Sequence, residues 1–239
     1  MSLILLITRP RAQAQGFAGE VLAQLSPAEA AEVEVVLSPL LEIVPVPLEA
    51  PLPEAAGVIF TSQNGVEVAG DLGLPRGLPA YCVGQRTAAA AREAGFEARR
   101  GPGHAAALAD QLLRDRPLGP LLHIRGRHSR GEVAARLDAG GLPCREVVAY
   151  DQDARPLSPE GLAALAGEKP VVLPLFSPRT STIFQRSGPH RAPVHAIAIS
   201  VAARLEGADL ASETVAASPD ARAMRDATVD RLRGLLALA

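Results

Sequence analysis

The chain writes one strand-and-turn passage twice, as Gly57-Val-Ile-Phe-Thr-Ser-Gln-Asn-Gly-Val66 and as Val171-Val-Leu-Pro-Leu-Phe-Ser-Pro-Arg-Thr180. Each copy moves from an apolar β-like run through Phe-Thr-Ser or Phe-Ser-Pro into a helix start, with a hydroxyl side chain in the capping position. A helix start leaves backbone N–H groups unpaired; the cap takes some and an anion can take others. The likeness extends along the chain. Ala80–Ala89 follows the first copy as Ala196–Ala203 follows the second, and Leu3–Pro10 matches Leu121–Gly126, where an apolar strand ends in an arginine. Self-similarity in units too long for a solenoid repeat predicts two related α/β halves.

Composition supports this. The 239 residues, 48% of them hydrophobic, suffice for two cores, and with 3% aromatics and no Trp those cores must be aliphatic. A net charge of −2 without a basic run gives no reason to expect nucleic acid. No apolar run approaches the roughly 20 residues of a membrane span, so no membrane partner is expected. The opening Met1–Ile7 has no charged start and runs straight into Thr8-Arg9-Pro10, which reads as a buried first strand and not as a signal peptide. Cys82 and Cys144 sit in apolar contexts without metal-ligand spacing, so a cytoplasmic protein with reduced thiols is expected. Lys169 is the only lysine. Codon bias toward Arg, Ala, Gly and Pro accounts for that, and only arginines at strand ends carry functional weight.

Strands are predicted over 3–8, 33–37, 57–61, 80–84, 96–100, 120–125, 143–150, 170–176, 194–199 and 213–217, mostly as the unbroken apolar runs of parallel sheets. Helices are predicted over 86–94, 105–116 and 130–139, among others. Pro39, Pro45, Pro47, Pro51 and Pro53 make the segment from Ser38 onward extended, neither helix nor central strand. It reads as one crossing between domains, and Glu146-Val-Val-Ala-Tyr-Asp151 reads as a second. Two crossings predict an inserted domain over 46–144, a discontinuous domain of 1–37 plus 152–239, and linker strands 38–45 and 145–151.

These residues, taken in order, resemble the uroporphyrinogen-III synthase family. The resemblance runs through Ile7-Thr-Arg-Pro10, Ser38-Pro-Leu-Leu-Glu-Ile43, Ile59-Phe-Thr-Ser-Gln-Asn-Gly-Val66, Val83-Gly-Gln-Arg-Thr-Ala88, His123-Ile-Arg-Gly126, Val147-Val-Ala-Tyr150, Phe176-Ser-Pro-Arg-Thr180 and Ile199-Ser-Val-Ala202. It spans nearly the whole chain, and it is the ordered set that is specific. The resemblance implies an α/β fold of two similar doubly wound parallel-sheet domains joined by a two-stranded antiparallel β-ladder, with substrate held between them. It also implies the reaction: hydroxymethylbilane, a linear tetrapyrrole polycarboxylate, loses water and closes to uroporphyrinogen III with its last ring inverted through a spiro intermediate. No cofactor and no metal are implied, hand-over from hydroxymethylbilane synthase is admitted, and a monomer is expected.

For that chemistry the substrate is already reactive, so control is chiefly a matter of orientation. Carboxylate binding is expected from Thr61, Ser62, Gln63 and Asn64, and in the second copy from Ser177, Pro178 and Thr180. Gly84, Gln85 and Ser200 occupy equivalent turns. Arg9 and Arg125, with Gly126 beside it, end equivalent strands, where each arginine either meets a carboxylate or forms a surface ion pair of small worth. Tyr150 is expected to donate a hydrogen bond to the departing hydroxyl; the family's tyrosine at the matching position supplies that role. Caps that touch no ligand are the alternative for the hydroxyl residues, and a brace for the linker is the alternative for Tyr150.

Gly101-Pro-Gly-His-Ala-Ala106 fits a loose dinucleotide pattern, but no acidic residue ends the next strand. His123 and His195 read as core-edge residues, and Arg125–Arg130 reads as a basic turn holding an anion or simply a solvated loop. The competing class is a non-catalytic two-domain hinge module that binds a small polycarboxylate.

Overall fold

A run such as Leu3-Ile-Leu-Leu-Ile7 is stable only where both faces of its sheet are covered, and all five of these side chains are buried. The computed structural model describes residues 2–48, 50–128 and 132–238. The chain begins β1 (Leu3–Ile7), α1 (Arg11–Leu22), α2 (Pro27–Ala31), β2 (Val33–Leu37) and β3 (Leu41–Pro45). It continues β4 (Gly57–Phe60), α3 (Gln63–Ala69), β5 (Pro79–Cys82), α4 (Gln85–Glu93), β6 (Glu97–Arg100), α5 (Ala105–Asp115), β7 (Leu121–Gly126), α6 (Val133–Ala139) and β8 (Cys144–Ala154). It ends α7 (Pro159–Ala166), β9 (Val171–Leu175), α8 (Pro178–Gln185), β10 (Val194–Ala198), β11 (Ser212–Val215) and α9 (Ala221–Leu236). Two compact units result, Met1–Glu42 with Ala154–Ala239, and Ile43–Asp153.

The first unit holds a parallel sheet in the order β11-β10-β9-β1-β2. Successive side chains of β1 face opposite ways. Leu3, Leu5 and Ile7 meet Phe17 and Val21 of α1 and Met224 and Leu232 of α9, while Ile4 and Leu6 pack in the cluster that holds Leu165 of α7 and Phe184 of α8. Ser38 is fully buried just past β2, and its Oγ accepts the Ser158 N–H at 2.8 Å, ahead of α7.

The second unit holds the order β3-β8-β7-β4-β5-β6, parallel from β8 to β6. Helices α3 and α4 cover one face through Val66, Val68 and Ala88, and α5 and α6 cover the other through Leu108, Leu112 and Leu137. Exchanging β7 for β1, β8 for β2, β4 for β9, β5 for β10 and β6 for β11 turns one strand order into the other, with β3 the extra edge strand of the second sheet. The sequence pairs fall on these correspondences: β4 with β9, β5 with β10, β7 with β1.

Each strand candidate has its counterpart, with three differences. β8 runs on to Ala154, beyond the expected end, because its polar tail pairs with β3 at the sheet edge: Val46 N–H donates to Ala149 O at 2.9 Å and Arg155 N–H to Leu40 O at 3.0 Å, an antiparallel relation. The edge position of β3 is where its terminal proline is tolerated. β6 and β11 are not apolar, since both close sheet edges: Glu97, Arg99 and Arg100 discourage further pairing at β6, and Glu213 of β11 accepts from Arg204 and the Leu205 N–H. The helix expected over 130–139 is seen from Val133; Arg130 lies outside the described residues. Among the described residues no helix is long and apolar enough to cross a membrane.

Phe184 is buried among Leu173, Leu175, Val194 and Leu205. Phe184→Ala is expected to cost about 3–5 kcal/mol, read as a lower urea midpoint for the first unit with unchanged slope.

Candidate functional site

In an open parallel sheet, ligands settle beyond the carboxyl ends of two neighbouring strands whose connections leave toward opposite faces. In the second unit those strands are β4, which feeds α3, and β7, which feeds α6. In the first they are β9, which feeds α8, and β1, which feeds α1. The duplicated Phe-Thr-Ser and Phe-Ser-Pro turns follow β4 and β9.

Beyond β4, Ser62 caps α3: its Oγ accepts the Gly65 N–H at 3.3 Å. The same Oγ lies 2.9 Å from the Tyr150 hydroxyl. Tyr150 reaches it because β8 carries a bulge: Arg125 pairs with Val148 but Gly126 pairs with Tyr150, skipping Ala149. The phenol ring lies over Gly126, where a Cβ would stand 2.5 Å from a ring carbon, so the position needs glycine. Gly65 sits close as well: a Cβ there would stand 3.1 Å from the Ile124 carbonyl, a tight approach for α3.

Thr61, Ser62, Gly126 and Tyr150 line a cavity of about 340 Å³ with His104, His128 and Gln152. A larger groove of about 600 Å³ along α5 and α6 is lined mostly by alanines and lacks a convergent polar set. Behind the cavity, Thr61 Oγ1 lies 3.2 Å from Nε2 of His123, a buried β7 side chain. Among the described residues the other ring nitrogen, Nδ1, has no hydrogen-bond partner, and it stands 3.9 Å from Glu146 Oε1.

Burial dominates the electrostatics. It pushes His123 down to about 4, helped by Arg125 and opposed by Glu146. It pushes the Cys82 thiol up to about 11 and the Cys144 thiol up to about 12, so neither offers a thiolate. The Tyr150 phenol is raised by burial, while its bonds to Ser62 and the Gly126 backbone pull the other way. Asp151 is held below the usual carboxylate range, first by the Gln152 N–H and then by Arg127 and His128.

Of the residues expected from sequence, the fold brings Thr61, Ser62, Gly126 and Tyr150 together. Gln63 and Asn64 open α3, with Asn64 buried. Gly84 and Gln85 open α4 without a side-chain cap, and the residue of that turn which lines the cavity is Val83. Arg125 is engaged by Glu146, with Nη2 and Nε at 2.6 Å and 2.7 Å from Oε2, which is the ion-pair reading of this arginine. In the first unit, Ser177 caps α8 by accepting the Thr180 N–H at 3.1 Å, bonds the Thr180 hydroxyl at 2.8 Å, and is followed by Pro178 in the first helical position. Arg9 lies 4.1 Å over the Phe176 ring and donates to Gln13. Ser200 precedes a short 3-10 turn, Val201–Ala203, without a side-chain capping bond.

His104 and Gln152 line the cavity with no expectation from sequence as site residues, and His128 falls in the basic turn Arg125–Arg130, singled out only as an anion holder or a solvated loop. The first lay in a loop set aside as a failed nucleotide pattern. Gly103 there has φ 106°, a left-handed turn that lets His104 Nδ1 accept the Ala107 N–H at 3.2 Å and cap α5; a glycine followed by a polar residue and an apolar helix was the available signal.

The sequence profile of the family described as Uroporphyrinogen-III synthase HemD matches residues 21–226. No curated protein matches the sequence. Among solved structures, uroporphyrinogen-III synthetase from Helicobacter pylori 26695 aligns with a TM-score of 0.65 at 17% identity, over 97% of this chain and 100% of that one. A mutant uroporphyrinogen III synthase from Thermus thermophilus aligns with a TM-score of 0.52 at 16% identity, over 98% and 99%. At such identities the likeness bears on the fold.

His123 generates a pH dependence of stability. The fold favours its neutral form, so its contribution is complete above the ordinary value of 6.5 and is lost as pH falls through about 4. That loss is on the order of 3 kcal/mol by pH 4. Urea unfolding at pH 7 and pH 4 should therefore show a smaller drop in His123→Gln than in the unaltered protein; equal drops would contradict the assignment.

Proposed function

The chain belongs to the uroporphyrinogen-III synthase family, a lyase family of tetrapyrrole biosynthesis, and on that premise we propose that it closes hydroxymethylbilane to uroporphyrinogen III. The linear substrate loses its terminal hydroxyl as water to give an electrophilic azafulvene. Left alone, the azafulvene closes to the symmetric type I isomer. To make type III, the last pyrrole must attack through its substituted carbon, form a spiro intermediate, and then fragment and reclose inverted. Selecting that outcome requires holding a reactive chain in one conformation, which is an orientation effect.

The observation that carries this reading is the Ser62–Tyr150 pair at 2.9 Å in a cavity at the carboxyl ends of β4 and β7. A raised phenol keeps its proton near neutrality, so Tyr150 acts as a hydrogen-bond donor to the departing oxygen, with Ser62 fixing its direction. The substrate carboxylates are assigned to the hydroxyl and amide groups of the two duplicated turns, Thr61–Asn64 and Ser177–Thr180, with Arg9 at the end of β1.

Purified protein given fresh hydroxymethylbilane should yield type III product in proportion to enzyme, resolved from type I by chromatography after oxidation. Type I alone from folded protein would remove the synthase reading. Tyr150→Phe should lower the type III rate about 10²-fold with unfolding unchanged, and an unaltered rate would take Tyr150 out of the chemistry.

A further inference from the structure

We propose, on the synthase reading, that His128 is the group that delivers a proton to the departing hydroxyl and later takes one back. The cavity that holds Ser62 and Tyr150 is lined by three side chains with a transferable proton: Tyr150, His104 and His128. The first two are poor proton carriers there, for different reasons. Burial makes the phenol hold its proton more tightly than usual. His104 accepts a backbone N–H on Nδ1, which requires a lone pair at that nitrogen. A proton taken up at Nδ1 would break that cap on α5.

His128 is placed differently. Its Nε2 lies 3.2 Å from Asp151 Oδ1, while Arg127 Nε holds Oδ2 of the same carboxylate at 2.9 Å and Gln152 N–H donates to Oδ1 at 2.7 Å. Asp151 is thereby a fixed acceptor beside the ring, an arrangement that orients the imidazole. With Nε2 engaged, Nδ1 is the nitrogen left to exchange a proton, and the side chain is half exposed. Among the described residues, the charged and titratable groups that share its carboxylate or its cavity are Asp151 and Tyr150 on β8, Arg127 on its own turn and His104 at the start of α5.

The balance closes without a co-reactant. The C–O bond of the hydroxymethyl group breaks as the pyrrole nitrogen lone pair forms the new double bond, and the oxygen leaves as water with the proton from His128. A cationic azafulvene and a neutral imidazole remain. After ring closure, the ring carbon that made the last bond loses its hydrogen as a proton, the C–H electrons restore the pyrrole, and the imidazole accepts that proton. Water and the macrocycle are the only products.

The test is steady-state turnover of hydroxymethylbilane from pH 6 to 9 by the unaltered protein, His128→Gln and, as a control in the first unit, His190→Gln. His128→Gln should lose about 10²-fold in kcat with little change in KM, and should lack the fall in kcat that the unaltered protein shows as pH rises. His190→Gln should behave as the unaltered protein. An unchanged kcat in His128→Gln overturns the proposal. So does a reduced kcat that keeps the original pH profile, since that marks a structural role. Type I product alone from the unaltered protein would overturn the synthase reading itself, and this proposal with it.

Discussion

Strands laid parallel cannot be joined by a tight turn; each connection must cross back over a face of the sheet. Every later feature of this molecule depends on that constraint. Where neighbouring strands send their crossovers to opposite faces, the loops at their carboxyl ends part, and that is where open α/β sheets take ligands. β4 with β7 is one such place and β1 with β9 is the other. The apolar runs of the chain supply the covered faces, and the hydroxyl-rich turns sit where covering fails.

Ser62 shows how little material such a site requires. One hydroxyl terminates a helix by satisfying the Gly65 amide and also holds the Tyr150 phenol in place. Local helix chemistry and the geometry of the cavity are thereby coupled through a single oxygen. Tyr150 arrives from a strand two places away in the sheet, aimed by a bulge and accommodated by the absent side chain of Gly126. Hydroxyl, bulge and glycine are each ordinary, and the site is their coincidence.

The fold was legible in the sequence because unbroken apolar runs and their order are local properties. The duplicated turns, the edge character of the proline-rich β3 and the pairing of β4 with β9 could all be read from residue types. Part of the site was legible for the same reason: Thr61 and Ser62 stand directly after a strand. Other parts depend on contacts between residues far apart in the chain. Whether Arg125 faces a ligand or Glu146 depends on a neighbouring strand's register. His123 is tuned by the depth at which β7 lies, and His128 meets Asp151 because β8 continues past its bulge. The Gly101–Ala106 loop fits a dinucleotide pattern only loosely, and what it does is local: Gly103 turns the chain so that the His104 imidazole can cap α5.

The first unit is interrupted: β1 and β2 belong with β9, yet the whole second unit lies between them in the chain. An unstructured insertion of that size would set a long loop to be closed before β1 and β9 could pair, and closure entropy grows with the logarithm of its length. The inserted unit removes most of that length once folded, because Val46 and Ala149 are hydrogen-bonded to each other across its base. To the sheet around it, a folded second unit is a short tether. β1 and β9 are thus drawn together by a unit that leaves the ribosome ahead of β9.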